Sequence, residues 1–178
     1  MRILTVLAIV ILLISCKENK NGAYVVNKHV KPSKEALQEK SLEKANRYLV
    51  IQEDKDIENY IQRHGWNVTE TGTGLRYEIY KKGNGPMVKK GNIVTLKYKM
   101  YLITGDLIYS SDSLGPKTFK VGRGGVETGL EEMVLLMHQG DKAHVVLPSH
   151  LAYGLKGDMK KIPKRATIIY DLNLTDVK

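Results

Sequence analysis

Val121 to Pro163 reads VGRGGVETGLEEMVLLMHQGDKAHVVLPSHLAYGLKGDMKKIP, and the fold turns on how this stretch is parsed. It opens on a turn signal, Gly122-Arg123-Gly124-Gly125. Leu130, Met133, Val134 and Met137 then stand at i, i+3, i+4 and i+7, the apolar face of a helix of about two turns. Gly140 lies where a left-handed C-terminal cap would end that helix. An apolar segment, Ala143 to Pro148, leads through Leu151-Ala152-Tyr153-Gly154 into a basic loop that ends at Ile162-Pro163. The glycine-rich turn lacks the Lys-Ser/Thr of a nucleotide loop and the spacing of a dinucleotide fingerprint, so it does not read as a phosphate cradle. No nucleophile, base and orienter converge here, and no set of metal ligands does. What the pattern describes is an apolar, aromatic-edged hollow built around one short helix.

Upstream of this stretch the apolar period is two. Leu75, Tyr77 and Ile79 face one way, and Arg76, Glu78 and Tyr80 the other. Gly83-Asn84-Gly85-Pro86 is a turn. Val94, Leu96, Tyr98, Met100 and Leu102 alternate with Thr95, Lys97, Lys99 and Tyr101, which predicts a half-buried strand with a wet outer face. Thr104-Gly105 turns a hairpin back through Leu107 to Tyr109. A short strand around Phe119 and Val121 precedes the helix, and Lys142 to Leu147 forms another after it. The last strand runs from Ala166 to about Thr175, with Ile168, Tyr170, Leu172 and Leu174 on one face. The sum is an α+β domain: an antiparallel sheet of about five strands wrapped on one short helix.

The N-terminal third reads differently. Residues 1–15 carry Arg2 and then a twelve-residue apolar run, Ile3 to Ile14, interrupted only by Thr5. That is short for a bilayer span and the right length for a signal-peptide core. Leu13-Ile14-Ser15-Cys16 resembles the lipobox of bacterial lipoproteins, so cleavage before Cys16 and lipid attachment to it are expected. Cys16 is the only cysteine, which leaves stability to the core rather than to a disulfide. Residues 16–32 are polar and aperiodic and read as a flexible tether. Residues 33–65 are helical: Ser33 is a suitable N-cap, Lys34 to about Ile51 a first helix, Asp54 the cap of a second, and Gly65 its end. The domain proper occupies residues 66–178.

The formal charge is +9, and Lys156, Lys160, Lys161, Lys164 and Arg165 crowd the loop around Pro163. A solvated basic face is the default reading; attraction to anionic headgroups or to an acidic client is the sharper one. Nucleic acid is not an expected partner, because interleaved aromatics and a cytoplasmic address are both wanting. The five histidines show no ligand spacing within an element, so no metal and no cofactor is expected.

The run Val126-Glu127-Thr128-Gly129-Leu130, followed by Met137, Gly140, Pro148, Ala152-Tyr153-Gly154 and Ile162-Pro163, resembles the FKBP family of peptidyl-prolyl isomerases in order and spacing. Tyr98, Gly105 and Ser110-Ser111 fall where that family has a tyrosine, a hairpin glycine and a Ser-Ser pair. The likeness extends from about Gly74 to Lys178. It implies a pocket for a proline ring, with Tyr98 on its wall and the Tyr153 hydroxyl holding a substrate carbonyl as the two catalytic positions. Val126, Leu130, Ile162 and Tyr170 then line the substrate site. Glu127 replaces an isoleucine whose backbone N–H meets substrate; Leu130 replaces a tryptophan floor; Ile108-Tyr109 replaces a Phe-Asp pair; and Lys117 aligns with a phenylalanine near the mouth.

Two functions follow from the resemblance. One is a membrane-tethered isomerase acting on proline-containing polypeptides of exported proteins. The other is a non-catalytic FKBP-like binding subunit or chaperone of an envelope secretion or motility assembly. Leader, helical spacer and divergent domain together resemble gliding-motility and secretion-associated isomerases. The implied address is the cell envelope, anchored through acylated Cys16 at the outer membrane. Some relatives of this architecture pair through helices placed before the domain. Against that reading stands packing of the helices on their own domain, or full solvation, since no heptad is sustained.

Overall fold

The computed structural model describes residues 33–178. The expected leader, lipobox-like Cys16 and tether lie outside the described residues. Helix α1 spans Lys34–His64. The strands are β1 (Thr69–Glu70), β2 (Arg76–Lys81), β3 (Ile93–Leu102), β4 (Leu107–Ser110), β5 (Lys117–Lys120), β6 (Lys142–Leu147) and β7 (Ile168–Val177). A single helical turn, α2 (Ser111–Leu114), lies between β4 and β5, and α3 (Thr128–Val134) precedes β6. All pairings are antiparallel, in the order β1-β2-β6-β7-β3-β4, with β5 also on β3. Among the described residues the sheet thus has seven strands rather than about five. The strand that the alternation did not mark is β1, two residues long and too short to show a period; β4 and β5 lie along separate stretches of one long strand, β3.

That shared edge explains the Ser110-Ser111 pair. β4 pairs with Lys99–Tyr101 and β5 with Ile93–Leu96, so the chain leaves the edge between them through α2. The Ser111 hydroxyl fills the gap, accepting the Tyr98 backbone N–H at 3.1 Å. A backbone donor in a partly buried strand is thereby satisfied without a ladder partner.

The inward face of the sheet carries the residues that the alternation predicts. Val94, Leu96, Tyr98 and Met100 of β3, and Ile168, Tyr170, Leu172 and Leu174 of β7, are buried against Leu130, Met133, Val134 and Met137. Helix α3 ends at Val134, not at Gly140. After it the chain forms tight turns and then bridges back to the sheet, with Met87 paired to His138. The apolar spacing at Met137 therefore belongs to a turn packed on the core. Gly140, at φ 95°, serves the entry to β6 and donates its N–H to the Leu174 carbonyl at 2.7 Å.

The outer face is not simply wet. Ile57, Tyr60 and Ile61 of α1 bury Val146 of β6 and Ile169 of β7, with Trp66, Val68, Tyr101 and Ile103 around them. Helix α1 is also continuous where two helices were expected. No glycine or proline interrupts Lys34 to His64, and Asp54 does not cap: its carboxylate takes the guanidinium of Arg76. Ser33 does cap, accepting the Ala36 N–H at 3.2 Å. Gly65, at φ 64°, closes the far end, where the Trp66 N–H returns to the Ile61 carbonyl.

Candidate binding site at the start of helix α3

Side chains from β5, β7 and the loop after β6 meet that of Glu127, the residue before α3. Its carbonyl accepts the N–H groups of Leu130 and Glu131 at 3.0 and 3.1 Å, which starts the helix. The helix can lie this close to β6 only because residue 129 is glycine. A Cβ there would stand 2.6 Å from Leu147 Cδ2 and 3.0 Å from Leu151 Cβ. Leu130 and Val126 flank Glu127 in sequence; β3 contributes Tyr98, β4 Ile108 and Tyr109, and β7 Tyr170. The loop after the 3-10 turn Ser149–Leu151 contributes Tyr153 and Ile162. The structure therefore brings the predicted site residues into one region. Tyr98, Ile108, Glu127, Leu130, Ile162 and Tyr170 are buried, while Tyr109, Val126 and Tyr153 are partly exposed.

The centre of that region is polar, which corrects the expectation of a dry apolar hollow. The Glu127 side chain is 6% exposed. Its Oε1 accepts the hydroxyls of Tyr153 and, at 3.1 Å, of Tyr170. Its Oε2 has no hydrogen-bond partner among the described residues, and the Lys117 ammonium stands 3.5 Å away. Lys117 Nζ also lies 5.5 Å from the centroid of the Tyr98 ring, within cation–π range. Tyr98 and Tyr170 meet edge to face at 6.1 Å. Burial, and then the hydrogen bond and charge of Glu127, raise the pKa of Tyr153 far above the usual phenol value. Tyr170 is raised well above it, by burial first and Glu127 next. Tyr98 follows, again by burial first. All three hydroxyls stay protonated across the neutral range, and those of Tyr153 and Tyr170 donate to Glu127.

The rim is organised by a residue that sequence reasoning passed over. Asp158 Oδ1 accepts the N–H groups of Lys160 and Ile162 at 2.9 and 2.7 Å, and Oδ2 accepts the Tyr109 hydroxyl. Tyr109, which the resemblance sets in place of a carboxylate, reaches instead to a carboxylate of the facing loop. Lys161 Nζ donates to the Ile108 carbonyl at 3.3 Å, completing the clasp. Gly157 is required inside this loop: it sits at φ 66°, and a Cβ would come 2.1 Å from the Ile162 carbonyl oxygen. The only sequence signal for Asp158 was the Gly157-Asp158 turn pair, the one acidic residue within the basic loop.

The other end of the same loop is held from α1. Glu53 Oε1 accepts the Ser149 N–H at 2.6 Å and the Thr167 hydroxyl at 2.8 Å, and Oε2 accepts the Ser149 hydroxyl at 3.0 Å. Ser149 lies four positions before Tyr153, so α1 fixes the base of the segment that carries that tyrosine.

A family model described as FKBP-type peptidyl-prolyl cis-trans isomerase matches residues 85–175. A probable FKBP-type peptidyl-prolyl cis-trans isomerase FkpA of Neisseria meningitidis is 38% identical over 111 residues, which is 62% of this chain and 40% of that protein. FK506-binding protein 4 of Emericella nidulans is 38% identical over 105 residues, 59% of this chain and 22% of that protein. The chain thus spans less than half the length of these relatives. Among solved structures, FkpA from Escherichia coli superposes with a TM-score of 0.62 at 27% identity, covering 85% of this chain and 76% of that one. AtFKBP13 superposes with a TM-score of 0.61 at 27% identity, covering 64% of this chain and all of that one.

Proposed function

The chain belongs to the FKBP-type peptidyl-prolyl cis-trans isomerase family, and from that premise we propose that it rotates X-Pro bonds in polypeptides at the cell envelope. The observation that carries this reading is the convergence of Tyr98, Leu130, Tyr153, Ile162 and Tyr170 around the start of α3. Rotation of the bond must surmount a resonance barrier of about 18–20 kcal/mol, and no covalent intermediate is needed. A site lowers it by holding the twisted amide better than either planar form. Leu130 and Ile162 offer apolar surface to the ring, and Tyr153 offers a donor to the carbonyl once its hydroxyl leaves Glu127. A protease-coupled assay on several X-Pro peptides tests this: a rate above background is expected, and a rate equal to the uncatalysed one removes the enzyme reading while keeping the fold.

One observation favours a second reading. In this structure the Tyr153 hydroxyl is engaged by a buried carboxylate rather than free to meet a substrate, as suits a domain that binds a proline segment without turnover, a subunit or chaperone of an envelope assembly. FK506-type macrocycles are expected to bind weakly in either case, because Glu127 and Lys117 put charge where such a ligand needs apolar contact; nanomolar binding by calorimetry would contradict this.

The anchoring belongs to the same proposal. An apolar run of twelve residues ending in Leu13-Ile14-Ser15-Cys16 supports export and acylation of Cys16, with attachment at the outer membrane. Intact-mass spectrometry of the membrane fraction should find fatty acid on Cys16; an unmodified thiol there would end the lipoprotein reading.

A further inference from the structure

The Glu127 carboxylate is 94% buried, the complement of its 6% exposure, and one of its oxygens has no hydrogen-bond donor among the described residues. A buried carboxylate in that condition is costly, and it is relieved best by a cation that brings N–H groups. The molecule supplies one from itself. Lys117 reaches in from β5, an edge strand, and places its ammonium 3.5 Å from Oε2 and 5.5 Å from the Tyr98 ring centroid. Its side chain keeps a quarter of its surface in solvent, and it hangs on a flexible four-carbon stem. It can therefore swing out to water without moving the backbone. When it does, the region left behind has a carboxylate at its base and the rings of Tyr98, Tyr153 and Tyr170 around it. That combination suits an organic cation. A neutral group entering there leaves Oε2 unpaired, and an anion is repelled.

We propose that the site selects X-Pro segments in which X is lysine or arginine, the substrate's cation replacing Lys117 on Glu127 Oε2 against the tyrosine rings. Lys117 is then an internal competitor that closes the site when no such segment is present. This rests on the isomerase reading for turnover, though not for binding. The preference runs against the protein's overall field. A chain of formal charge +9 attracts acidic peptides in general, so selection of a basic residue has to come from the local carboxylate.

The experiment uses the whole chain and three peptide families that differ only at X, with lysine, leucine or glutamate before the proline. Binding is followed by NMR titration or calorimetry and turnover by the isomerisation assay, at about 0.15 M salt, where long-range terms are screened beyond roughly 8 Å. The lysine peptide should bind about ten-fold more tightly than the leucine peptide, the scale of one charge-assisted hydrogen bond. The glutamate peptide should bind least. Lys117→Met should raise affinity for the lysine peptide by removing the competitor, and Glu127→Gln should bring the lysine-to-glutamate ratio close to one. Affinities within two-fold across the three peptides, in the parent and in Lys117→Met, would overturn the proposal. Should Glu127→Gln fail to fold, the parent and Lys117→Met still decide it. Charge-ordered binding without turnover would refute the isomerase reading and leave this one standing; turnover indifferent to X would do the reverse.

Discussion

Tyr153 and Glu127 share a hydrogen bond whose removal has two consequences. Tyr153→Phe takes away the donor proposed to hold a substrate carbonyl, which should lower kcat/KM roughly two- to ten-fold. It also leaves Glu127 Oε1 with Tyr170 as its hydroxyl donor, so thermal unfolding should show a loss of about 1 kcal/mol. The change removes no apolar area, so the loss is that of the hydrogen bond alone. Leu130→Asp should be far worse. Leu130 is 1% exposed, and an unpaired carboxylate there costs several kcal/mol or takes up a proton. Calorimetric unfolding beside the activity assay separates the two effects. The tyrosines and Leu130 were legible because they sit in a recognisable spacing around one glycine. The direction of the Glu127 side chain was not, since identity at a position says nothing of rotamer. Nor was its pairing with Lys117, which requires β5 to fold back across β3.

Helix α1 acts on the site through Glu53, whose three hydrogen bonds fix Ser149 and Thr167 at the two ends of the β6–β7 connection. Glu53→Ala leaves the Ser149 N–H without its acceptor, and the expected cost is about 1–3 kcal/mol. Because the connection carries Tyr153, turnover should fall further than stability alone explains, a split visible when kcat is measured well below the unfolding temperature. The same helix ends by covering Val146 and Ile169 with Ile57, Tyr60 and Ile61. Each such side chain is worth roughly 1.5–3 kcal/mol when fully buried. A fragment of residues 74–178 should therefore unfold at markedly lower denaturant than one of residues 53–178, as equilibrium unfolding by circular dichroism will show. Equal midpoints would mean that α1 contributes nothing to the fold. The existence of a helix here was legible from composition and from Ser33. Its continuity through Asp54 was not, because that aspartate is claimed by Arg76, 22 positions away. Arg76 also lies 3.2 Å from both Glu58 and Glu70, so a charged side chain on the face opposite Leu75 and Tyr77 is a buried junction between helix and sheet.

Across the whole molecule the back of the sheet carries a stack that no single element reveals. His144 of β6 lies between Trp66 and Tyr80, with ring centroids 4.3 Å away on each side, and faces Glu78 and Asp171 on the neighbouring strands. Burial lowers its pKa, and the pull of Asp171 and Glu78 only partly offsets this, while His64 pushes the same way as burial. A histidine whose folded pKa lies below its unfolded value, near 6.5, destabilises the fold in acid: the unfolded chain takes the proton first. The melting temperature should hold above about pH 6.5 and fall as pH drops below it; His144→Phe, which keeps a ring in the stack, should flatten that slope. The antiparallel sheet around this stack was legible from two-residue alternation. The stack itself was not, because Trp66, Tyr80 and His144 come from a connector and two separate strands. Trp66 is also the chain's single tryptophan, set 5.5 Å from Tyr60 of the docked helix. Its fluorescence is therefore an optical gauge already built into the protein. Quenching should deepen when His144 gains a proton and the emission should shift to the red when α1 lifts away, so that helix docking can be followed in real time with no label attached.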